Sequence, residues 1–160
     1  MVSELVDWQS RELHSGRLVT AQNLHITLAF LGSRPSADVP AVEEALSESV
    51  AGAGRPRLHV RAYRETRSVG MLVLEDEGGR ATAVAEQLLE RLQALGMVRR
   101  ETRRWLPHIT VLRFREPPRL RPALPELGEV CPSDAAVFIS RLHPDGAQYE
   151  VLRNIRLGGR

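Results

Sequence analysis

Two histidine–threonine pairs are the residues of this chain best suited to chemistry. His25 and Thr27 are separated by one isoleucine, and His108 and Thr110 repeat that spacing. Alternate residues of a strand share a face, so each pair would present an imidazole and a hydroxyl together. Near neutral pH, one imidazole can accept a proton while a second, protonated one donates it. Hydroxyl groups can donate hydrogen bonds to phosphate oxygens. The set predicts metal-free hydrolysis of a phosphodiester.

A structural role and a metal site compete with catalysis for these histidines. A histidine in a strand is commonly structural, but two matched His-x-Thr stretches among only five histidines favour a function. A zinc site would need a third ligand at a recognisable spacing, and we find no further Asp, Glu, His or Cys placed in that way. The sequence therefore predicts no metal and no cofactor.

The composition excludes several classes of mechanism. The chain has 22 basic and 20 acidic residues, and all 22 basic residues are arginine. The absence of lysine excludes Schiff-base, lysyl-adenylate and P-loop lysine chemistry. The only cysteine, Cys131, allows no intrachain disulfide and no multi-cysteine zinc site. No apolar run is long enough for a membrane span, and Met1–Glu4 lacks the features of a signal peptide. We therefore expect a cytoplasmic protein without a membrane or known protein partner, and a monomer by default.

The arginines also leave one question of binding open. They are concentrated before the second His-x-Thr stretch and again near residue 64. In both places they could hold the backbone phosphates of a nucleic acid or lie in a solvated loop. The residues concerned are Arg99, Arg100, Arg103 and Arg104 in the first cluster, and Arg61, Arg64 and Arg67 in the second.

The histidine pairs need strands to carry them, and periodicity predicts an α+β chain. Two similar halves, each with one His-Ile-Thr strand, would form a single domain over 1–160, and a pseudo-two-fold would bring both pairs to one groove. Antiparallel sheets and helices make up each half. The predicted elements are a helix at 1–15, a strand at 23–31, a helix from an N-cap at Ser36 to about Val50, strands at 57–63 and 68–75, a helix at 80–95 stopped by Gly96, a strand at 108–114, a proline-rich connector, and final strands at 135–142 and 148–157 around Pro144–Gly146.

Three stretches of the chain resemble a known family. They are NLHITLAFLG at 23–32, PHITVLR at 107–113 and the closing segment at 138–152. The chain resembles the two-histidine (2H) phosphoesterase superfamily, and within it the RNA 2′,3′-cyclic phosphodiesterase branch, historically called 2′-5′ RNA ligase. The resemblance covers almost the whole chain. It implies a bilobal α+β fold around a central groove and hydrolysis of 2′,3′-cyclic phosphate ends of RNA to 2′-phosphomonoesters.

The resemblance also implies a role for each site residue. His25 would be the proton donor to the leaving 3′ oxygen, and His108 the proton acceptor from water. Thr27, Thr110 and Arg113 would bind the phosphate. Strand alternation alone places Arg113 on the opposite face from Thr110, so its role requires a bulge or the end of the strand. Without lysine, any 2′-5′ ligation must be ATP-independent, as the reverse reaction.

Two alternatives stay open, and one feature departs from the family. The chain could hydrolyse a small cyclic phosphate, such as a nucleotide or an ADP-ribose derivative, or it could bind RNA ends without turnover. The family normally opens with a strand in which a basic or polar residue precedes Leu-Phe-Val-Ala. This sequence begins at the helix that would follow. Either that strand is absent from the protein, or, as we hypothesise, it is encoded upstream of the assigned start codon.

Overall fold

The computed structural model describes residues 1–99, 103–143 and 146–158, with only the backbone of 142–143 and 146–147. The predicted turn at Pro144 and Asp145 and part of the Arg99–Arg104 cluster lie outside the described residues. The helices and strands of the described part are α1 (Val2–Glu12), β1 (Arg17–Leu18), α2 (Val39–Val50), β2 (Arg57–Glu65), β3 (Val69–Glu77), α3 (Arg80–Ala94), β4 (His108–Arg113), β5 (Asp134–His143) and β6 (Gly146–Arg156), with short 3₁₀ turns at Ala21–Asn23 and Ser36–Asp38.

The chain forms two compact units, and the first carries the larger sheet. It comprises Met1–Thr27, Arg57–Glu77 and Leu106–Val130. Four antiparallel strands lie in the order β1-β4-β3-β2. Apolar residues alternate along the strands and bury one side of the sheet, and α1 contributes its own apolar residues to the same core. The buried residues include Leu5, Trp8, Leu58, Leu72, Ile109 and Leu112.

The second unit is built on two helices and a hairpin. It comprises Leu28–Pro56, Gly78–Trp105 and Cys131–Arg160. Helices α2 and α3 place apolar residues at helical spacing toward one core, and β5 and the residue that follows β6 add the rest. Gly96 has a φ of 69°, so the predicted stop of α3 is confirmed. The core residues are Val42, Ala45, Leu46, Val50, Val84, Leu88, Leu92, Ala135 and Leu157.

The predicted α+β class with antiparallel sheets is confirmed, but the strand predicted at 23–31 is wrong. Only Ile26 pairs, through an isolated bridge to Ile109. Beyond Thr27 the chain enters the second unit, where Leu28, Ala29 and Leu31 pack against the helical core. The apolar run that indicated one strand is therefore divided between two cores.

Two smaller expectations also differ from the structure. Ser36 does not cap α2; it begins a 3₁₀ turn, and α2 starts at Val39 with Pro40 in its first turn. The two His-x-Thr pairs do not fall into separate halves, because both belong to the first unit. Among the described residues, no helix combines the length and apolar character that a membrane crossing requires.

Candidate active site

Strand β4 carries the second histidine–threonine pair in the middle of the larger sheet. His108 pairs with Val73 and Thr110 with Met71, and both are half-buried. Ile109 lies between them, is 7% exposed and pairs with Leu72. Because paired residues share a face of an antiparallel sheet, His108 and Thr110 stand on the face opposite the Ile109 core. We call this side of the sheet the histidine face.

The first pair reaches the histidine face through the bridge at Ile26. Ile26 pairs antiparallel with Ile109, on the side of β4 that is not occupied by β3. The register of that bridge places His25 opposite Thr110 and Thr27 opposite His108. Residues that flank Ile26 point to the side opposite its own. The structure thus brings both predicted pairs together on neighbouring segments of one unit.

The two imidazoles are held in the same way. Nδ1 of His25 lies 2.7 Å from the carbonyl oxygen of Asn23. Nδ1 of His108 lies 2.8 Å from the carbonyl oxygen of Leu106. A carbonyl oxygen can only accept, so each Nδ1 carries a proton and donates it. In the neutral form, the lone pair of each ring is therefore on Nε2. Both histidines are oriented by a backbone acceptor two residues earlier, and in the neutral ring Nε2 is the nitrogen that can accept a proton.

A β-bulge in β4 decides the position of Arg113. Met71 pairs with Thr110, but the next residue of β3, Gly70, pairs with Leu112, so Val111 is an extra residue in β4. Val69 then pairs with Arg113. Since Val69 and Met71 share a face of β3, Arg113 shares the histidine face with Thr110. The bulge that the predicted role of Arg113 required is present, and the side chain is exposed.

Gln9 holds this bulge and was missed as a site residue by sequence reasoning. Its side chain is 1% exposed. Its Nε2 donates to the carbonyl oxygens of Val111, at 2.7 Å, and Val19, at 3.1 Å. The Val111 oxygen also accepts the backbone N–H of Val19 at 3.1 Å. The available signal was an amide at a position of α1 in phase with apolar Leu5 and Leu13. We infer that Gln9 is a positioning residue for β4.

The opposite face of the sheet anchors the proline-rich connector. The Tyr63 hydroxyl donates to Glu65 at 3.2 Å. The Glu65 carboxylate also accepts the backbone N–H groups of Arg119 and Leu120, each at 2.8 Å. Burial raises the pKa of the Tyr63 phenol, and the charge of Glu65 raises it further. Tyr63 and Glu65 therefore have a structural role in the same sheet as β4.

One group of side chains away from the histidine pairs has metal-ligand chemistry. Ligand atoms of His59, Glu77 and Glu129 lie within 4.8 Å of one another. Arg57 forms ion pairs with both carboxylates, at 3.3 Å to Glu77 and at a short distance to Glu129. His59 contacts Glu77 at 3.2 Å. The guanidinium of Arg57 thus supplies the positive charge that a metal ion would supply.

Comparisons with known proteins agree with this fold. The sequence profile of the 2′-5′ RNA ligase superfamily matches residues 3–143. No curated protein sequence matches the chain. Among solved structures, TT0787 of Thermus thermophilus is 30% identical, with a TM-score of 0.78 over 99% of this chain and 92% of that one.

Two further solved structures share the fold at lower identity. A phosphoesterase is 23% identical with a TM-score of 0.75, over 99% of this chain and 91% of that one. Escherichia coli LigT in complex with 3′-AMP is 21% identical with a TM-score of 0.77, over the same shares of 99% and 91%. The profile match and the 30% identity to TT0787 show that this chain belongs to the 2′-5′ RNA ligase (2H phosphoesterase) superfamily, a superfamily of phosphoesterases and ligases.

Proposed function

We propose that this protein hydrolyses 2′,3′-cyclic phosphate ends of RNA to 2′-phosphomonoesters, without a metal, through His25 and His108. The observation that carries the proposal is the matched orientation of the two rings. Each donates its Nδ1 proton to a carbonyl two residues earlier, and both stand on one face of neighbouring segments. Two imidazoles oriented to exchange protons through Nε2 meet the needs of general acid and general base catalysis.

The reaction breaks one ester bond of the cyclic phosphate. Nε2 of neutral His108 takes a proton from water as the water oxygen bonds to phosphorus. The bond between phosphorus and the 3′ oxygen breaks, and Nε2–H of protonated His25 gives its proton to that oxygen. The phosphate stays on the 2′ oxygen. His108 then releases its proton to solvent and His25 takes one up, which restores the starting state.

Three further side chains would hold the phosphate during this reaction. The hydroxyls of Thr27 and Thr110 can donate to its non-bridging oxygens, where negative charge increases in the transition state. Arg113 shares the histidine face because of the bulge, and a guanidinium pairs well with phosphate. All three residues belong to the same unit as the histidines.

Ligation would use the same two histidines and break the same bond between phosphorus and the 3′ oxygen, with a different nucleophile. A 5′-hydroxyl takes the place of water and attacks the cyclic phosphate, which yields a 2′-5′ bond and needs no ATP. The chain has no lysine that could form an adenylate. In water, hydrolysis is expected to dominate over ligation.

The test is turnover of a short RNA that ends in a 2′,3′-cyclic phosphate, with EDTA present and ATP absent. We expect a 2′-phosphate product. His25→Ala and His108→Ala should each lower kcat by about 100-fold or more while the substrate still binds. His14→Ala is the matched control, because His14 is exposed in the same unit and should leave the rate unchanged. Retained turnover in both His25→Ala and His108→Ala would exclude the acid–base assignment.

The same assay separates the two competing functions. A rate that does not rise with RNA length, with rapid turnover of cyclic mononucleotides, would indicate a small cyclic phosphate as substrate. The observation that favours a small substrate is that E. coli LigT, which has the same fold, is seen in complex with the mononucleotide 3′-AMP. Binding of RNA ends without any turnover would indicate a binding protein. A cytoplasmic location and a monomeric state stay predictions, and sedimentation velocity would test the monomer.

A further inference from the structure

Two arginines oppose each other on the histidine face without a counter-charge. Arg17 of β1 pairs directly with Arg113 of β4, and both side chains are exposed. Neither forms an ion pair with any residue that the structure describes. Like charges directly opposite each other destabilise a pair of strands. The pairing therefore has an electrostatic cost that a bound anion would remove.

The arginines of β2 differ from this pair. Arg57 has the carboxylate partners described above, and Arg61 contacts Glu75 at 3.1 Å. Arg64 is exposed and pairs with Met71 of β3, so one strand separates it from β4. Within the described strands of this sheet, only Arg17 and Arg113 place two guanidinium groups directly opposite each other.

The close approach of Arg17 to Arg113 is built into the backbone. A Cβ on Gly16 would lie 2.8 Å from the backbone oxygen of Arg113 and 2.9 Å from the Leu112 side chain. Only glycine allows this contact without displacement. The residue before it, Ser15, has a φ of 68°, which is rare for a residue with a side chain. The backbone at Ser15 and Gly16 is thus restricted in a way that places Arg17 against β4.

The arginine pair is near the two histidines. Thr110 pairs with Met71, and Arg113 pairs with Val69. Met71 and Val69 are two residues apart along β3, so Thr110 and Arg113 are separated by about 7 Å along the strand direction. Arg17 lies on the same side of β4 as Ile26, the residue that follows His25. An anion held between these two side chains would therefore lie on the histidine face, close to the two histidine–threonine pairs.

We propose that Arg17 is a phosphate-binding residue and that, with Arg113, it forms an anion site for a phosphate group of the substrate. This inference rests on the proposed function, since the substrate is taken to be RNA with a cyclic phosphate end. The phosphate is either the terminal one or the internucleotide phosphate next to it. Two guanidinium groups can each give two parallel N–H bonds to phosphate oxygens.

Binding of inorganic phosphate, measured by calorimetry at fixed ionic strength, tests the site without catalysis. Arg17→Ala should raise the Kd for phosphate about tenfold to a hundredfold, because it removes hydrogen bonds between charged groups. Arg11→Ala on α1 is the control with the same charge change and should leave Kd as it is. An equal Kd in Arg17→Ala and the wild type would overturn the inference.

Stability without phosphate separates binding from a structural role. Relief of the repulsion should leave Arg17→Ala at least as stable as the wild type in phosphate-free buffer. A clear fall in its melting temperature there would mean that Arg17 supports the fold, and would overturn the inference. Arg17→Lys keeps the charge and should recover part of the affinity for phosphate.

Turnover of two substrates identifies the phosphate. They are cytidine 2′,3′-cyclic phosphate and the dinucleotide that adds one nucleoside on the 5′ side. A higher KM of Arg17→Ala on both substrates indicates the terminal phosphate, and a higher KM on the dinucleotide alone indicates the internucleotide phosphate. An unchanged KM on both overturns the inference. If the wild type turns over neither substrate and Arg17→Ala still binds phosphate more weakly than the wild type does, the proposed function is contradicted and the anion site is supported.

Discussion

Replacement of Gln9 by leucine tests whether the side-chain amide of Gln9 holds strand β4 in place. Gln9 is 1% exposed, and both hydrogens of its amide are used, at 2.7 Å to Val111 and 3.1 Å to Val19. Leucine has a similar size but no donor. The change therefore removes two buried hydrogen bonds while it keeps most of the packing of α1.

The expected cost follows from the two carbonyl groups that remain. The Val111 oxygen still accepts the N–H of Val19, so its loss is about 1 kcal/mol. The Val19 oxygen loses its amide donor, which costs about 1–3 kcal/mol. The apolar side chain of leucine recovers a part of this sum. We expect a net destabilisation of about 2 kcal/mol.

Urea denaturation measures this loss, with Gln87→Leu as the matched control. Gln87 is exposed on α3, and its replacement should change stability by less than about 0.5 kcal/mol. For Gln9→Leu, the urea midpoint should fall by about 1 M. The KM should also rise, because the bulge that directs Arg113 is no longer held. A loss no greater than that of Gln87→Leu would show that α1 does not hold β4 through this amide.

Two further predictions concern the opposite face of the sheet. In Gly70→Ala, the new methyl group would meet the Tyr63 hydroxyl, so unfolding free energy should fall by about 1–3 kcal/mol, and the added change Tyr63→Phe should restore most of it. The second concerns pH. Because the pKa of Tyr63 is raised by burial and by Glu65, the folded state keeps a proton that the unfolded chain releases above a pH of about 10. The contribution to stability is complete below that pH and is lost as the pH rises through the folded-state pKa, so alkaline titrations of stability should fall less steeply in Tyr63→Phe; identical slopes would contradict the reasoning.

The position of Arg113 could not be predicted from strand alternation alone. Strict alternation puts residue 113 on the opposite face from residues 108 and 110. The extra residue at Val111 reverses this, and the reversal is visible only in the pairing with Gly70 and Met71. Position 111 itself is an ordinary valine in an apolar run, so nothing in its type predicts a bulge. The carbonyl oxygen of that residue is held by Gln9, which is 102 positions away in the chain.

The stretch around His25 is a second place where the local pattern predicted the wrong structure. Its β-prone residues predicted a regular strand, and the two similar halves of the chain suggested a separate lobe for each histidine. In the structure a single bridge at Ile26 is enough to align the pair with β4. The following apolar residues are used by the second core, a competition between two packing surfaces that periodicity within one segment cannot show.

The expected chemistry and most of the elements follow from the order of residues alone. The types and spacing of His25, Thr27, His108 and Thr110 indicate acid–base catalysis on a phosphate, and apolar periodicity located the helices and most strands. These are local properties, set by side-chain chemistry and by the repeat of helix and strand. The three-dimensional fold settles which segments are neighbours: the alignment of the two pairs, the bulge before Arg113 and its pairing with Arg17. Such contacts join residues far apart in the chain, and their register depends on which surfaces are buried together.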